Sequence, residues 1–202
     1  MSGLTSRRAG NALVWLLLLT MPYWIGWIGG YTSLGTRALV LGLAAMALNF
    51  LLGFTGVLSF GQAAYFGLGA YGAGMTIKYL VASTPLGILV GIVVGTVAAA
   101  VVGALIIKLR GVYFAMATIA FGQVFYFIAY RWNAVTGGDD GLAGWQRVPI
   151  HFGFGTLDIA SNDRAFYFLA LAFFAVAVAI MAALLRSPFG RTLIAIRENE
   201  RR

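Results

Sequence analysis

The chain has 202 residues, of which 61% are hydrophobic and only 10% are charged, whereas soluble domains carry about 25% charged residues. This composition, with its long uncharged runs, excludes a soluble domain and predicts an all-α membrane protein. The net charge of +8 comes from basic residues at the ends of apolar runs, so it predicts a contact with the lipid bilayer and not with nucleic acid. Because the chain has no cysteine, disulfides, thiol catalysis and Cys-ligated metals are also excluded.

The apolar runs predict about six transmembrane helices within a membrane domain at 11–185. A polar N-terminal stretch, 1–10, precedes them, and a basic segment, 186–202, follows them. The predicted spans are 12–28, 38–58, 61–81, 85–107, 111–132 and 165–185, and a polar loop, 133–164, lies between the last two. The boundary at 53–61 between the second and third spans is consistent with either a tight turn or a broken helix.

Basic residues are distributed unevenly between the two ends of the predicted spans. One side carries nine of them: Arg7, Arg8, Lys108, Arg110, Arg186, Arg191, Arg197, Arg201 and Arg202. The other side carries five: Arg37, Lys78, Arg131, Arg147 and Arg164. The positive-inside rule therefore predicts a cytoplasmic N-terminus, a cytoplasmic segment 186–202 and an external loop 133–164.

Two glycine patterns predict close contacts between helices. In the fourth span, small residues recur at intervals of four and share one helix face; its glycines on that face are Gly87, Gly91, Gly95 and Gly103. Such a stripe favours helix packing over ligand binding. The stretch 49–74 contains seven glycines around the polar sequence 59–62. Because backbone at membrane depth must be hydrogen-bonded internally, this stretch is expected to be covered by other helices or to line a cavity.

The six predicted spans contain no Asp, Glu or His. A charge at the centre of a membrane helix costs about 2.5–3.5 kcal/mol, and proteins place one there for proton relays, ion coupling or metal binding. We therefore predict no metal site and no ion-coupled mechanism. The neutral polar residues proposed to line a pathway are Asn49, Ser59, Gln62 and Gln123. They can instead act as hydrogen-bonding groups between helices, and a pathway without charges of its own needs an external source of energy.

The basic segment 186–202 has the pattern of a short amphipathic helix. Ser187 can cap a helix that has Pro188 at its first position. Phe189, Leu193 and Ile196 then share one face of that helix. The pattern is consistent with a helix that lies on anionic lipid and with a helix that docks into a cytoplasmic partner.

Four segments have the character of sequence motifs: 56–71 (GVLSFGQAAYFGLGAY), 110–118 (RGVYFAMAT), 136–142 (TGGDDGL) and 187–200 (SPFGRTLIAIRENE). In this order they resemble motifs of the branched-chain amino acid ABC transporter permeases, and they are most similar to the LivM-type subunits. Each motif alone is weak, whereas the ordered set is specific. Members of this family usually continue with further spans after the last motif, so a chain ending at Arg202 is expected to be a fragment or a C-terminally truncated product.

The resemblance implies a multi-pass subunit of the bacterial inner (plasma) membrane that has no enzymatic activity and no cofactor of its own. Its partners would be a second permease subunit, an external solute-binding protein and two cytoplasmic ATPases, which bind the ATP. Leucine, isoleucine and valine would be the substrates; the alternatives are a permease for urea or short amides and a non-transport membrane scaffold subunit. The resemblance also implies that 187–200 is the segment that couples to an ATPase, through Pro188, Phe189, Gly190, Arg191, Ile196, Arg197 and Glu198.

Overall fold

In a computed structural model, residues 2–144, 147–152 and 155–198 are described, and they form a helical bundle with one small hairpin. The helices are α1 (Ser2–Trp24), α2 (Thr32–Phe50), α3 (Gln62–Met75), α4 (Thr84–Ile106), α5 (Val112–Arg131), α6 (Asn133–Thr136), α7 (Asp163–Arg186) and α8 (Pro188–Glu198). A 3₁₀ turn (Ile25–Ile28) extends α1, and π-helical turns (Leu51–Thr55 and Thr76–Leu80) extend α2 and α3.

Five of the six predicted spans coincide with helices that are long and apolar enough to cross a membrane. These helical segments are Ala9–Ile28, Thr32–Thr55, Thr84–Ile106, Val112–Arg131 and Asp163–Arg186. The third predicted span, 61–81, is helical, but its glycines and its polar Gln62 and Lys78 make it less apolar than the others, and it is not among the five. The helical architecture is consistent with a membrane permease, and the crossing by α3 stays a prediction.

The second helix differs most from its predicted span, 38–58. It begins six residues earlier, at Thr32, and its terminal π-helical turn ends at Thr55. Gly56 follows with a φ of 72°, a left-handed conformation that glycine adopts at little cost. Residues 56–61 are not helical, so the boundary that the sequence left open is a break between two helices. We call residues 56–61 the connector.

Packing contacts give the relative directions of the long helices. Glycines of α4 face α3 in descending order, Gly87 against Ala73 and Gly95 against Tyr65, so these two helices are antiparallel. Helices α2 and α7 are parallel, because Gly35 lies against Tyr167 and Gly42 against Phe174. The contacts of Gly61 with Thr118 and of Gly122 with Ala64 show that α3 and α5 also run parallel.

A small core joins α1, α2 and α7. It consists of the buried residues Leu39, Tyr167 and Leu171, against which Trp15, Leu18, Met21, Ala170 and Phe174 pack. The Tyr167 hydroxyl donates a hydrogen bond of 2.6 Å to the carbonyl of Leu18, which satisfies the polar end of this buried ring. By contrast, large apolar side chains such as Leu89 and Val97 of α4 are more than half exposed, as expected for helix faces that meet lipid.

The loop at 133–164 contains more structure than an all-α chain predicts. Strands β1 (Ile150–Phe152) and β2 (Gly155–Leu157) pair antiparallel, with Ile150 opposite Leu157. Next, the Asp158 carboxylate accepts hydrogen bonds from the Ser161 side chain and from backbone N–H groups, which lowers its pKa. The Asn162 side chain then accepts hydrogen bonds from the N–H groups of Arg164 and Ala165 and so caps α7.

Candidate transport groove and C-terminal helix

A groove of about 580 Å³ lies between α3 and α5. It is lined by Phe60, Ala63, Ala64, Gly67, Leu68, Tyr71, Ile119, Gly122, Gln123, Phe125, Tyr126, Ala129, Tyr130, Gly138, Asp139 and Gly141. Most of this surface is apolar or aromatic, and Asp139 carries the one formal charge among the described residues that line it. The groove therefore offers space for a small solute, with an acidic group near the end where the 133–164 loop lies.

At the opposite end of the groove, the connector is fastened to α5. The Phe60 N–H donates a 3.2 Å hydrogen bond to the Thr118 hydroxyl, which itself donates to the Ala115 carbonyl at 2.7 Å. A Cβ at Gly61 would lie 2.8 Å from the Thr118 carbonyl oxygen, so only glycine allows the two backbones this approach. Because Phe60 itself lines the groove, this contact fixes the shape of that end.

The outer wall of the groove depends on the packing of α3 against α4. A Cβ at Gly91 would lie 2.6 Å from the Gly69 carbonyl oxygen, and one at Gly95 would lie 3.4 Å from that of Tyr65. Gly87 lies similarly close to α3, since a Cβ there would be 3.1 Å from the Ala73 carbonyl oxygen. Nothing lies within 4 Å of such an atom at Gly103, so three of the four glycines in the stripe contact α3 and the fourth does not.

The motif at 136–142 folds over the other end of the groove. The Thr136 hydroxyl lies within hydrogen-bonding distance of two carbonyls, that of Ala129 on α5 and that of Trp132 directly after α5, and the Gly138 N–H donates to this hydroxyl at 3.3 Å. Gly137 has a φ of 82°, so a left-handed turn directs the chain back toward α5 and brings Asp139 to the groove. The threonine and the first glycine of this motif therefore both shape the turn that carries Asp139.

Two hydrogen bonds hold the remainder of the 133–164 loop at one end of the bundle, where the helical turn after α3 ends and α4 begins. The Lys78 ammonium donates to the Ala143 carbonyl at 2.8 Å, and the Thr84 hydroxyl donates to the Val148 carbonyl at 2.7 Å. These ends of the two helices therefore lie on the same side of the bundle as Asp139.

The four residues proposed to line a pathway are not brought together. Only Gln123 lines the groove. Ser59 is a buried residue of the connector, directly before the Phe60 N–H that bonds to Thr118. The buried Oε1 atom of Gln62 has no hydrogen-bond partner within the described residues. Asn49 is exposed on α2, where its side chain lies beside Gly53.

Sequence reasoning missed most of the polar and aromatic groups that do line the groove. They include Asp139 and the tyrosines at 71, 126 and 130. One signal was available, because Ile119, Gln123, Tyr126 and Tyr130 recur at intervals of three and four and so share a face of α5. For Asp139, the signal was the glycine pair before it, which predicts a turn but not its direction.

The C-terminal helix α8 follows α7 through a tight turn at Ser187. The Ser187 hydroxyl donates a 2.6 Å hydrogen bond to the Leu184 carbonyl, and the Gly190 N–H donates to that hydroxyl at 3.4 Å. Gly190 is buried, and a Cβ there would lie 2.5–2.7 Å from backbone atoms of Leu184 and Leu185. Glycine at this position is therefore what allows α8 to fold directly against the end of α7.

The far end of α8 lies against the π-helical turn of α2. The Arg197 guanidinium donates a hydrogen bond to the Gly53 carbonyl, and its aliphatic carbons pack beside Gly56. Among the other predicted coupling residues, Pro188, Phe189 and Arg191 are exposed. The side chains of Ile196 and Glu198 and the residues 199–202 lie outside the part of the chain that the structure describes.

Comparison with known proteins identifies the family. The family described as "Branched-chain amino acid transport system / permease component" matches residues 30–202. The chain belongs to this family. The resemblance to LivM-type permeases that the four motifs indicated is thereby confirmed.

Two curated relatives of the chain in this permease family share the same name. The chain is 24% identical, over 209 residues, to the "High-affinity branched-chain amino acid transport system permease protein LivM" of Escherichia coli (strain K12), with 93% of this chain and 48% of that protein covered. It is 25% identical over 192 residues to LivM of Salmonella typhimurium (strain LT2), with 85% and 44% covered. The chain thus spans about half the length of these relatives, and no solved structure matches it significantly.

Proposed function

We propose that the chain acts in the permease subunit of an ATP-driven importer that moves leucine, isoleucine and valine across the bacterial inner membrane. The observation that carries this proposal is the groove between α3 and α5, together with the names of the permease relatives. In this proposal the chain has no enzymatic activity, and the energy comes from partner ATPases. Six helices cross the membrane with the N-terminus inside, which the helix directions and the excess of basic residues on one side support.

The lining of the groove favours a branched-chain amino acid over urea or a short amide. Leu68 and Ile119 offer apolar surface to an aliphatic side chain. The Asp139 carboxylate offers a charge partner to an α-ammonium group, and the amide of Gln123 can hydrogen-bond to a carboxylate. Urea has neither an aliphatic side chain nor a charge, so it would leave these surfaces unmatched.

Helix α8 is the proposed contact with the ATPase. Phe189 and Arg191 are exposed and available to a cytoplasmic partner, whereas Arg197 holds the far end of α8 to Gly53. The connector begins three residues after Gly53, and its Phe60 both lines the groove and hydrogen-bonds to Thr118. A movement of α8 would therefore reach the groove through the hydrogen bond of Arg197 with Gly53 and through the connector that follows.

Uptake by a reconstituted complex tests the proposed substrate. The assay contains the full-length permease, its partner permease, both ATPases and the external binding protein in proteoliposomes, with labelled leucine or labelled urea. We expect ATP-dependent accumulation of leucine. Accumulation of urea alone would assign the amide alternative, and stable assembly without uptake of either solute would assign the scaffold alternative.

Filling the groove should block transport without unfolding the protein. A Cβ at Gly67 has no atom within 4 Å and this residue lines the groove, so Gly67→Trp places an indole ring in that space. We expect leucine uptake to fall by about tenfold or more, since the ring occupies volume that a solute of similar size requires. Gly103→Trp is the matched control, because Gly103 also faces open space but does not line the groove. Equal uptake by the two variants would contradict the assignment.

A further inference from the structure

A second cavity, of about 620 Å³, lies outside the groove at the end of the bundle that carries the 133–164 loop. It is lined by Tyr31, Ser33, Thr36, Arg37, Val40, Leu41, Phe66, Arg147 and Phe166. These residues come from the first turns of α2 and the residue before it, from α3, from the loop and from the start of α7. Nothing in the transport proposal uses this cavity, and neither arginine is part of a motif that carries the family resemblance.

The polarity of the cavity changes along α2. The residues nearest the start of the helix are polar, with hydroxyl groups at Tyr31 and Ser33 and the guanidinium of Arg37. The next lining residues toward the bilayer centre, Val40 and Leu41, are apolar, as is Phe66 of α3. A ligand that matches this order has a polar head at the membrane surface and a hydrocarbon chain below it.

The two arginines give the polar end of the cavity its charge. Arg147 is held in place by a 2.8 Å ion pair with Asp163 and by the ring of Phe166, whose centroid lies 4.1 Å from the guanidinium carbon. That ion pair uses Nη1, and a guanidinium has five N–H donors. Arg37 is exposed and has no hydrogen bond or ion pair with any residue that the structure describes. The cavity thus combines one positioned cation with a second that has no anionic partner among the described residues.

We propose that this cavity binds the phosphate headgroup of an anionic phospholipid, with an acyl chain along Val40, Leu41 and Phe66. Guanidinium groups and hydroxyl donors match phosphate oxygens in geometry and charge, and the apolar floor matches hydrocarbon. An acidic peptide would match the arginines but not the apolar floor. A bound lipid would lie between the beginnings of α2 and α7, next to the contact that joins them at Gly35 and Tyr167.

Lipid binding to the full-length protein in nanodiscs tests this proposal without requiring transport. We expect the wild type to retain phosphatidylglycerol over phosphatidylcholine, measured as lipid that stays bound in native mass spectrometry. Arg37→Gln should weaken phosphatidylglycerol binding about tenfold, as expected for the loss of one charge-assisted contact. Arg131→Gln, which removes a charge on the same side of the bundle but outside the cavity, should leave binding unchanged.

Three results would overturn the proposal. First, the wild type could bind phosphatidylglycerol and phosphatidylcholine equally. This comparison uses no variant, so it does not depend on whether a variant folds. Second, Arg37→Gln and Arg131→Gln could lower phosphatidylglycerol binding to the same extent, which would indicate a general effect of surface charge. Third, inorganic phosphate could displace the bound lipid, and the acyl chain could contribute nothing to the affinity. The cavity would then be a site for a free anion.

Discussion

Gly190→Val is expected to uncouple ATP hydrolysis from leucine uptake while the membrane helices stay folded. Even the first side-chain carbon at this position would lie 2.5 Å from the Leu184 carbonyl oxygen and 2.7 Å from the Leu185 backbone. These are backbone atoms at the end of α7, so they cannot move aside as a flexible side chain would. Helix α8 would therefore have to move away from α7, and the surface that carries Phe189 and Arg191 would move with it.

The size of this effect follows from the coupling that α8 is proposed to carry. Coupling free energies between distant sites are about 1–3 kcal/mol, which corresponds to roughly 5- to 150-fold in an equilibrium. We therefore expect uptake to fall about tenfold or more. The measurements are leucine uptake, ATP hydrolysis and co-purification of the ATPase with the complete complex. Leucine uptake should fall strongly, whereas the thermal stability of the membrane helices should change much less.

A substitution in the last turns of α7 provides the control for Gly190→Val. Ala183 is exposed on α7, so Ala183→Val adds bulk near the same turn without a clash against backbone. It should leave uptake and co-purification close to wild type. If Gly190→Val also retained wild-type uptake, the position of α8 against α7 would not matter for transport, and the role proposed for this helix would be wrong.

The second large effect is expected for Gly91→Val, which should destabilise the protein itself. Its first side-chain carbon would lie 2.6 Å from the carbonyl oxygen of Gly69, so α3 and α4 would have to separate. Overpacking of this kind costs about 1–3 kcal/mol, and more when the obstructing atom belongs to the backbone. Thermal unfolding in detergent should show a clearly lower Tm than the wild type.

Gly103→Val is the matched control for Gly91→Val, because both glycines lie on the same stripe of α4. Open space surrounds Gly103, so its replacement by valine should change the Tm little. Equal losses of stability in the two variants would mean that loss of glycine from α4, and not the contact with α3, sets the effect. The contact at Gly69 would then not be what holds these helices together.

The stripe on α4 shows how far periodicity alone can predict a structure. Spacing of four residues predicted a shared face, and three of the glycines do meet a neighbouring backbone. Because an α-helix has about 3.6 residues per turn, each step of four residues rotates the position by about 40° around the helix. Gly103 lies four such steps after Gly87 and therefore faces open space, whereas Val102 and Ile106 beside it are buried.

The lining of the groove was harder to predict, because it depends on contacts between residues far apart in sequence. Ser59 and Gln62 are polar residues in an apolar stretch, but the contact of Gly61 with Thr118 buries this part of the chain against α5. Asp139 belongs to a loop that the charge pattern placed outside, and its position depends on the hydrogen bonds of Thr136 with α5. Neither contact produces a repeating sequence pattern from which it could have been predicted.

The central claim is that the space between α3 and α5 is a passage for an aqueous solute, and labelling of single cysteines tests it most directly. These 202 residues contain no cysteine, so Gly67→Cys in the groove and Gly103→Cys outside it each place a single thiol in this part of the protein. In the complete complex, we expect a membrane-impermeant, water-soluble thiol reagent to label Gly67→Cys at a rate that changes with ATP and with leucine-loaded binding protein. Gly103→Cys should stay unlabelled. Failure to label Gly67→Cys in any nucleotide state, or equal labelling of both positions, would contradict the account.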